Sequence, residues 1–315
     1  MHPSTIASKE AKFAGDLKLA NGSQMTLQSV KDIGNGFYIR SIRPTEQNYY
    51  YKADTAKKSI CLHFTVGYIL SDIAALTKAG SHVSVSYVVD RSGNIYELFP
   101  DRYWSYHLGN GAIGGNTSLS KQSIGIEICN YGPLTEKDDS MLDAYGNRYC
   151  SSWETSYYER MDYRGKQAFA TMTPVQISAV ATLLLHLCEK HSIPTVFTGT
   201  DEVFATAGDA LAFSGIFMHS NVRKDKFDWP MCTDMQTLIV SCVPPVQETE
   251  APGEPDGPQP GEAPVDEPAS PEPAPPEQTA GTPVLPDVPA RAEKSSFSGK
   301  LRELLDAILG LFRKG

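Results

Sequence analysis

The sequence predicts an α/β fold in which a central mixed β-sheet is flanked by helices. Two patterns support this prediction: short runs rich in apolar and β-branched residues, typical of buried strands, and longer segments with apolar residues at helical spacing. The two patterns alternate along the chain, which favours a sheet with helices packed against it. The chain has 315 residues, 41% of them hydrophobic and 10% aromatic, and this is enough for a substantial core.

The first predicted unit is a strand, a helix and a second strand. SICLHFTV at 59–66 is short and mostly apolar, as expected for a buried strand. ILSDIAALTKAG, which follows, predicts a short helix that closes at Gly80, because glycine is a common C-terminal stop. SHVSVSYVVD at 81–90 predicts the second strand.

The next elements complete the sheet and add a long helix. The turn RSGN at 91–94 joins the second strand to NIYELFP, so these two strands are expected to form a hairpin. SIGIEIC at 123–129 predicts a fourth strand. The long helix has Thr173 as its N-cap, directly before a proline, and it ends before Pro194. Between them, the aromatic-rich insertion at 133–167 has no predicted shape.

Composition divides the chain into a domain, a linker and a terminal helix. Residues 1–243 form the predicted domain, with the functional motifs within about 35–240. Residues 244–293 are predicted to be a disordered acidic linker, since 15 of the 22 prolines lie there among Glu, Ala and Gly. Residues 294–315 predict an amphipathic helix, whose apolar stripe is expected to contact a membrane surface, a copy of itself or a groove on the domain.

Charge and cysteine usage exclude several classes of protein. Between 246 and 291 there are ten acidic residues and one arginine, giving −9, and the whole chain is also −9, so the rest is near neutral. A domain without a basic surface predicts no nucleic-acid binding. Six cysteines without CxxC spacing predict buried free thiols. The N-terminus lacks the apolar core of a secretory signal, so the protein is expected to be cytoplasmic when made.

Four places combine metal-binding or acid–base side chains with the ends of predicted strands. They are His63, His107, Glu127 and the segment HSNVRKDKFDWP at 219–230. A histidine in a strand is more often a core residue, and a run of mixed charge is more often a solvated turn. Glu127 is less ordinary, because it lies among isoleucines, where a carboxylate must be paired, bound to a metal or raised in pKa. A raised pKa suits a general base that works near neutral pH.

Five segments of the chain occur in an order and at separations that are more specific than any single motif. In chain order they are SICLHFTVG, SVSYVVDRSGNIYELFP, YHLG, SIGIEICNYGPL and HSNVRKDKFDWP. Together they resemble the zinc-dependent N-acetylmuramoyl-L-alanine amidases of the type-2 amidase and peptidoglycan-recognition-protein superfamily. The resemblance spans about residues 35–240. It implies the predicted mixed-sheet fold and an enzyme that uses zinc-activated water to cleave the amide between N-acetylmuramic acid and the L-alanine of the peptidoglycan stem.

The resemblance implies a Zn²⁺ site made of His63, His219 and Asp228. Two histidines and a carboxylate leave the fourth position of zinc open for water, as a catalytic site requires. Two alternatives for the third ligand stay open: Cys232 as a thiolate, and Asp225 if the loop register is shifted. The segment also lacks the proline-glycine turn common in relatives, which affects the expected loop geometry more than the ligand set.

The resemblance also implies which residues act on the substrate. Glu127 matches the catalytic glutamate of the family, and Lys226 matches the lysine that faces the scissile carbonyl oxygen. His107 matches a histidine of the substrate cleft that does not bind zinc. Trp104 and the aromatic insertion are expected to form a wall for the glycopeptide, although such residues more often cover the core. Val85 stands where another branch has a catalytic tyrosine, so the chain resembles the glutamate branch.

Three functions are compatible with these features. The first is a lytic, endolysin-like amidase, expected to be monomeric in its catalytic domain, that reaches the bacterial cell wall after release at host lysis. The cationic amphipathic segment at 294–315 favours this role, because it could engage a membrane during escape. A cytosolic amidase that recycles muropeptides shares the same catalytic features. A peptidoglycan-binding module without hydrolysis is the third, but such proteins lack a metal ligand and all three candidates are present here.

Overall fold

The structure is a computed structural model that describes residues 1–242. The predicted linker at 244–293 and the predicted helix at 294–315 lie outside the described residues. The helices are α1 (Pro3–Asp16), α2 (Ile69–Leu76), α3 (Asn116–Gln122), α4 (Pro174–His191), α5 (Ala207–Ala212) and α6 (Thr233–Ser241). The strands are β1 (Thr26–Asp32), β2 (Tyr38–Arg43), β3 (Ser59–Phe64), β4 (Tyr87–Val89), β5 (Ile95–Glu97), β6 (Ser123–Ile128), β7 (Pro133–Lys137), β8 (Ser140–Leu142), β9 (Arg148–Ser151), β10 (Tyr158–Tyr163), β11 (Lys166–Ala170) and β12 (Gly215–Met218).

A seven-stranded mixed sheet forms the centre of the domain, in the order β1-β2-β5-β4-β6-β3-β12. β3 lies between β6 and β12 and is parallel to both. β4 is parallel to β6 and antiparallel to β5. The carboxyl ends of β3, β6 and β12 therefore meet at one edge of the sheet, which is where open α/β sheets bind their ligands.

Helices cover both faces of this sheet. Successive side chains of a strand point to opposite faces. On one face, Ile60 and Leu62 of β3 are buried in one cluster with apolar residues of α4 and α6. On the other face, Val88 and Tyr96 are buried with apolar residues of α1 and α2. The predicted fold class, a mixed sheet flanked by helices, is confirmed.

The aromatic-rich insertion forms a second sheet. Strands β7 to β11 make a five-stranded antiparallel sheet in the order β10-β11-β7-β8-β9. Tyr149 and Tyr158 of this sheet are buried, and Ile6 of α1 packs in the same apolar cluster. The insertion is thus a folded layer of the domain, which its sequence pattern did not reveal.

Most predicted elements lie where the sequence placed them, but two strands are shorter, since NIYELFP is a regular strand only at Ile95–Glu97, and α2 ends at Leu76 rather than at Gly80. The hairpin of β4 and β5 and the long helix α4 are present, with the Thr173 hydroxyl accepting from the Gln176 amide at 3.1 Å as the predicted N-cap. Of the segment 81–90, however, only Tyr87–Val89 is a regular strand. Before it the chain pairs irregularly with Tyr106, whose carbonyl accepts from the Ser84 amide at 3.1 Å. Ser84, Val85 and Ser86 are all buried there, although they form no continuous ladder.

The cysteine prediction is confirmed, since all six cysteines are buried and unpaired. Among the helices of the described part, none has both the length and the apolar character needed to cross a membrane.

Candidate metal centre and catalytic cleft

The carboxyl edge of the sheet brings the predicted site residues together. His63 and Glu127 are in-register partners on the adjacent parallel strands β3 and β6, so both side chains emerge on the same face. His219 follows directly after β12, on the other side of β3. The chain then loops back, and the Ser220 amide donates to the carbonyl of Asp228 at 2.7 Å. Two strands and one loop therefore supply the candidate ligands.

The three candidate metal ligands form a compact buried cluster. His63 Nδ1 lies 2.9 Å from His219 Nδ1, and Asp228 Oδ2 lies 3.1 Å from His219 Nδ1 and 3.5 Å from His63 Nδ1. The residues are 2%, 5% and 4% exposed for His63, His219 and Asp228. Donor atoms bound tetrahedrally to zinc at about 2.0–2.1 Å lie about 3.3 Å apart. The observed separations bracket this value, so the cluster fits one such ion.

A chain of hydrogen bonds determines which nitrogen of His63 carries the proton. The Ser123 hydroxyl donates to the Leu119 carbonyl at 2.7 Å, so its oxygen accepts from His107 Nε2 at 3.0 Å. His107 Nδ1 is then unprotonated and accepts from His63 Nε2 at 3.0 Å. His63 Nδ1 consequently has a free lone pair that faces the cluster.

The Nδ1 atom of His219 is also left unprotonated, by a single hydrogen bond. Its Nε2 donates to the Leu108 carbonyl, which can only accept, at 3.0 Å. In the neutral imidazole its Nδ1 is therefore unprotonated as well. Two imidazole lone pairs and a carboxylate oxygen of Asp228 then face one another with no proton between them. A bound cation satisfies all three, and this chemistry is the strongest indication of a metal centre.

Charge and burial support the protonation states of His63 and Asp228. Burial, together with the charge that His219 carries when it is protonated, lowers the pKa of His63 to about 4, so this imidazole is neutral at neutral pH. Burial opposes ionisation of Asp228, but a positive charge on the neighbouring histidines, His219 above all, outweighs it and holds the pKa of Asp228 below its usual range, so the carboxylate suits a cation beside it. Metal ligands must be deprotonated to bind, and both side chains meet that condition.

Glu127 lies beside the cluster with an unsatisfied carboxylate. Its Oε2 is buried and has no hydrogen-bond partner within residues 1–242. Burial is the main cause that raises the pKa of Glu127 well above its usual range, and the charge of Asp228 adds to it, while Lys226 opposes it. Such a carboxyl group is ready to take up a proton, as a general base must.

A cleft of about 510 Å³ opens over the cluster. Six of the seven predicted site residues line it: His63, His107, Glu127, His219, Lys226 and Asp228. Trp104 does not. It is buried, stacks on Tyr51 at 4.3 Å and meets the edge of Tyr106 at 5.2 Å. The aromatic residues that line the cleft are Phe64, Tyr106 and Phe227.

His107 lies in the cleft wall, but both of its ring nitrogens are engaged, one with His63 and one with Ser123. Its geometry is that of a residue that orients a metal ligand, a common arrangement around metal sites. Sequence reasoning assigned it to the substrate and missed Ser123, because a serine at the start of a strand carries no signal of its own.

The two alternative third ligands lie away from the cluster. Asp225 lines the cleft, but its carboxylate accepts from Arg223 at 2.8 and 2.5 Å. Cys232 is buried in the apolar cluster under α4 and α6. Asp228 is the carboxylate that reaches both histidines.

A second group of close donor atoms, Cys61, His63 and His107, is less suited to a metal. It shares His63, whose Nε2 proton is donated to His107. Burial raises the pKa of the Cys61 thiol well above its usual range, with Asp228 and Glu127 adding to the effect, and this disfavours the thiolate that a metal would bind.

Fold and site together define a class of protein: a mixed-sheet domain with a candidate metal centre and an adjacent buried carboxyl group at the carboxyl edge of the sheet. The model of one protein family, described as N-acetylmuramoyl-L-alanine amidase, matches residues 53–228, which is more than half of the chain. The chain therefore belongs to the N-acetylmuramoyl-L-alanine amidase family. A search of curated protein sequences finds no match.

Several solved structures are similar to this chain. One is the amidase AmiD from E. coli in complex with the substrate anhydro-N-acetylmuramic acid-L-Ala-D-gamma-Glu-L-Lys, at 20% identity and a TM-score of 0.37, covering 68% of this chain and 66% of that one. Another is the hydrolase AmiA of Staphylococcus aureus, at 14% identity and a TM-score of 0.37, covering 69% of this chain and 92% of that one. A third is the endolysin LysCS of Clostridium intestinale, at 14% identity and a TM-score of 0.33, covering 60% of this chain and 86% of that one. The match spans just under two thirds of the E. coli chain.

Proposed function

We propose that the protein is a zinc-dependent peptidoglycan hydrolase that cleaves the amide bond between N-acetylmuramic acid and the L-alanine of the stem peptide. Family membership supports the amidase activity. The observation that carries the zinc assignment is the set of three unprotonated acceptors, His63 Nδ1, His219 Nδ1 and Asp228 Oδ2, within 3.5 Å of one another. Imidazole and carboxylate are donors that zinc accepts, and three protein ligands leave one position open.

When bound, zinc supplies the Lewis acidity that polarises a carbonyl and makes water nucleophilic at neutral pH. The protein supplies the proton transfers and the orientation. Glu127 takes a proton from the attacking water as the new C–O bond forms, and it returns that proton to the nitrogen as the C–N bond breaks. Lys226 lines the same cleft and donates to the carbonyl oxygen as negative charge develops there. The products are a free carboxylic acid on the sugar and a free amine on L-alanine.

The positions of these groups are fixed by the fold before the substrate binds. The separation between His63 and Glu127 is fixed by the β3–β6 ladder, and Glu127 Oε2 makes no hydrogen bond to the part of the chain that the structure describes. A base with a vacant acceptor beside the metal ligands is therefore preorganised for water. The aromatic side chains available to a glycopeptide in this cleft are Phe64, Tyr106 and Phe227, and Trp104 is not among them.

We further propose a lytic role, with synthesis in the cytoplasm and action on the cell wall after release at host lysis. The sequence of 294–315 is apolar at helical spacing and carries Arg313 and Lys314 just before Gly315, which supports contact with a membrane surface during escape, or self-association. Muropeptide recycling in the cytosol uses the same catalytic site, so substrate preference separates the two roles.

The test is hydrolysis of defined muropeptides by the full-length protein, followed by mass spectrometry of the products. We expect release of the intact stem peptide with a free N-terminal alanine, complete loss of release after chelation, and recovery with zinc. Glu127→Ala is expected to bind zinc and release no peptide. A wild-type protein that retains zinc and binds peptidoglycan but releases no peptide would be a binding module, and the proposed activity would be wrong.

A further inference from the structure

Arg164 occupies a backbone position that does not suit an arginine. In the β10–β11 hairpin, Tyr163 pairs with Lys166, so Arg164 and Gly165 form a two-residue turn. Their φ angles are 51° and 76°, both in the left-handed region. Such turns favour Asn-Gly or Asp-Gly, because a longer side chain is strained at positive φ. An arginine in the first position indicates that its side chain makes contacts which offset this strain.

Those contacts are with the backbone of the loop that carries the metal ligands. Arg164 Nη1 donates to the carbonyls of Arg223 at 2.8 Å and Lys226 at 2.5 Å. Nη2 donates to the carbonyls of Ser220 and Asp201, each at 3.1 Å. One guanidinium thus satisfies four carbonyls with charge-assisted hydrogen bonds, which are stronger than neutral ones.

Three of these four carbonyls belong to the loop between the candidate ligands His219 and Asp228. Ser220 directly follows His219, and Lys226 is two residues before Asp228. The carbonyls of Arg223 and Lys226 share one nitrogen of Arg164, which fixes the turn between them. The loop carries a second aspartate, Asp225, three residues before Asp228, so its register decides which carboxylate faces the histidines.

We propose that Arg164 is a positioning residue that fixes the register of the loop 219–228, so that Asp228 reaches the metal cluster and Lys226 lines the cleft. This inference rests on the proposed function, since it assigns to the second sheet a role in building that site. A neighbouring contact supports it: Glu159 of β10 accepts from the Thr233 amide at 2.9 Å and hydroxyl at 3.0 Å. The β10–β11 hairpin therefore contacts the chain on both sides of the Asp228 segment.

Arg164→Asn separates positioning from folding. Asparagine is preferred at this position of the turn, so the hairpin should keep or gain stability while the four hydrogen bonds are lost. The matched control is Arg160→Ala on the same hairpin, because Arg160 is exposed, pairs with Glu136 and lies over the Tyr158 ring. Three readouts are compared in the full-length protein: zinc affinity by chelator competition, the absorption spectrum of the cobalt-substituted site, and cleavage of the metal-free protein by trypsin after Arg223, Lys224 and Lys226.

For Arg164→Asn we expect the zinc dissociation constant to rise about 10- to 100-fold, as for other residues that orient metal ligands. We also expect an altered cobalt spectrum and faster trypsin cleavage in the loop, with Arg160→Ala like the wild type in all three. Wild-type zinc affinity, spectrum and cleavage in a folded Arg164→Asn protein would overturn the inference. If the wild type binds no metal, the proposed function fails, and trypsin cleavage alone decides the role of Arg164: unchanged cleavage overturns it.

Discussion

Replacing Asp228 with asparagine changes one charge in the candidate metal centre and very little of its shape. The amide is nearly isosteric with the carboxylate, but it lacks the negative charge that faces His63 and His219 at 3.5 and 3.1 Å. Because the site is buried, the charge cannot be replaced by solvent. We therefore expect Asp228→Asn to fold and to lose most of its zinc affinity.

The size of the effect follows from linkage between binding and folding. Free zinc at 1,000 times its dissociation constant stabilises the folded protein by about 4 kcal/mol. A domain of this size gains about 2–4 °C in Tm per kcal/mol, so zinc should raise the Tm of the wild type by about 8–16 °C. If Asp228→Asn weakens binding about 100-fold, the same zinc concentration gives about 1.4 kcal/mol and about 3–6 °C.

The assay is thermal unfolding with EDTA and with buffered zinc, on the wild type and three variants. Asp225→Asn and Cys232→Ser test the other two candidate ligands. Both should show the zinc-induced rise of the wild type, since Asp225 is held by Arg223 and Cys232 lies in the core. A full zinc response in Asp228→Asn, or its loss in Asp225→Asn, would refute the ligand assignment. No zinc response in the wild type would refute the metal centre itself.

Three further predictions address the base, the histidine behind the site and the terminal segment. Glu127→Gln should lower kcat by about 10²–10⁴-fold with zinc affinity retained. Because the pKa of Glu127 is raised, the folded metal-free protein binds more protons than the unfolded protein does. The free energy of unfolding of the metal-free wild type should therefore fall, relative to that of Glu127→Gln, as pH rises above 4.5. Urea titrations of both proteins at pH 5 and 8 check this, and the same pH dependence in both would contradict it. His107→Ala frees the Nε2 proton of His63 and should weaken zinc binding about 10- to 100-fold in chelator competition, whereas unchanged affinity would exclude a positioning role. Deleting 294–315 should slow lysis of intact cells from outside but leave hydrolysis of soluble muropeptides unchanged, and equal lysis would exclude a role for this segment in membrane contact.

Much of the central sheet could be predicted from the sequence because its strands are buried on both faces. Short apolar runs such as 59–66, rich in β-branched and aromatic residues, are typical of a strand that is buried on both faces. The insertion at 133–167 could not be predicted in the same way, because its short antiparallel strands are half exposed and carry charged side chains. At the N-terminus, β1 has seven exposed residues at the sheet edge, so no burial pattern marks it.

The residues of the candidate site also fall into two groups, those that could be predicted from the sequence and those that could not. His63 and Glu127 lie in predicted strands, and the family resemblance added His219 and Asp228 and implied the role of each; the structure brings all four together. The supporting residues Ser123 and Arg164 could not be found, because what they do depends on partners that are distant in sequence. Arg164 did carry one local signal: it precedes Gly165 in a tight hairpin, where asparagine or aspartate is usual.

The in-register pairing of His63 with Glu127 has a consequence for engineering the substrate specificity of the protein. A candidate ligand and a candidate base that face each other across a backbone ladder form a fixed half of the site. In the loop 223–227, Lys226 belongs to the proposed catalytic machinery, and the other four positions can be varied around it. A library confined to those four positions tests whether the accepted stem peptides change while the proposed chemistry is retained. Randomising β3 or β6 would instead disturb both the core and the chemistry at once.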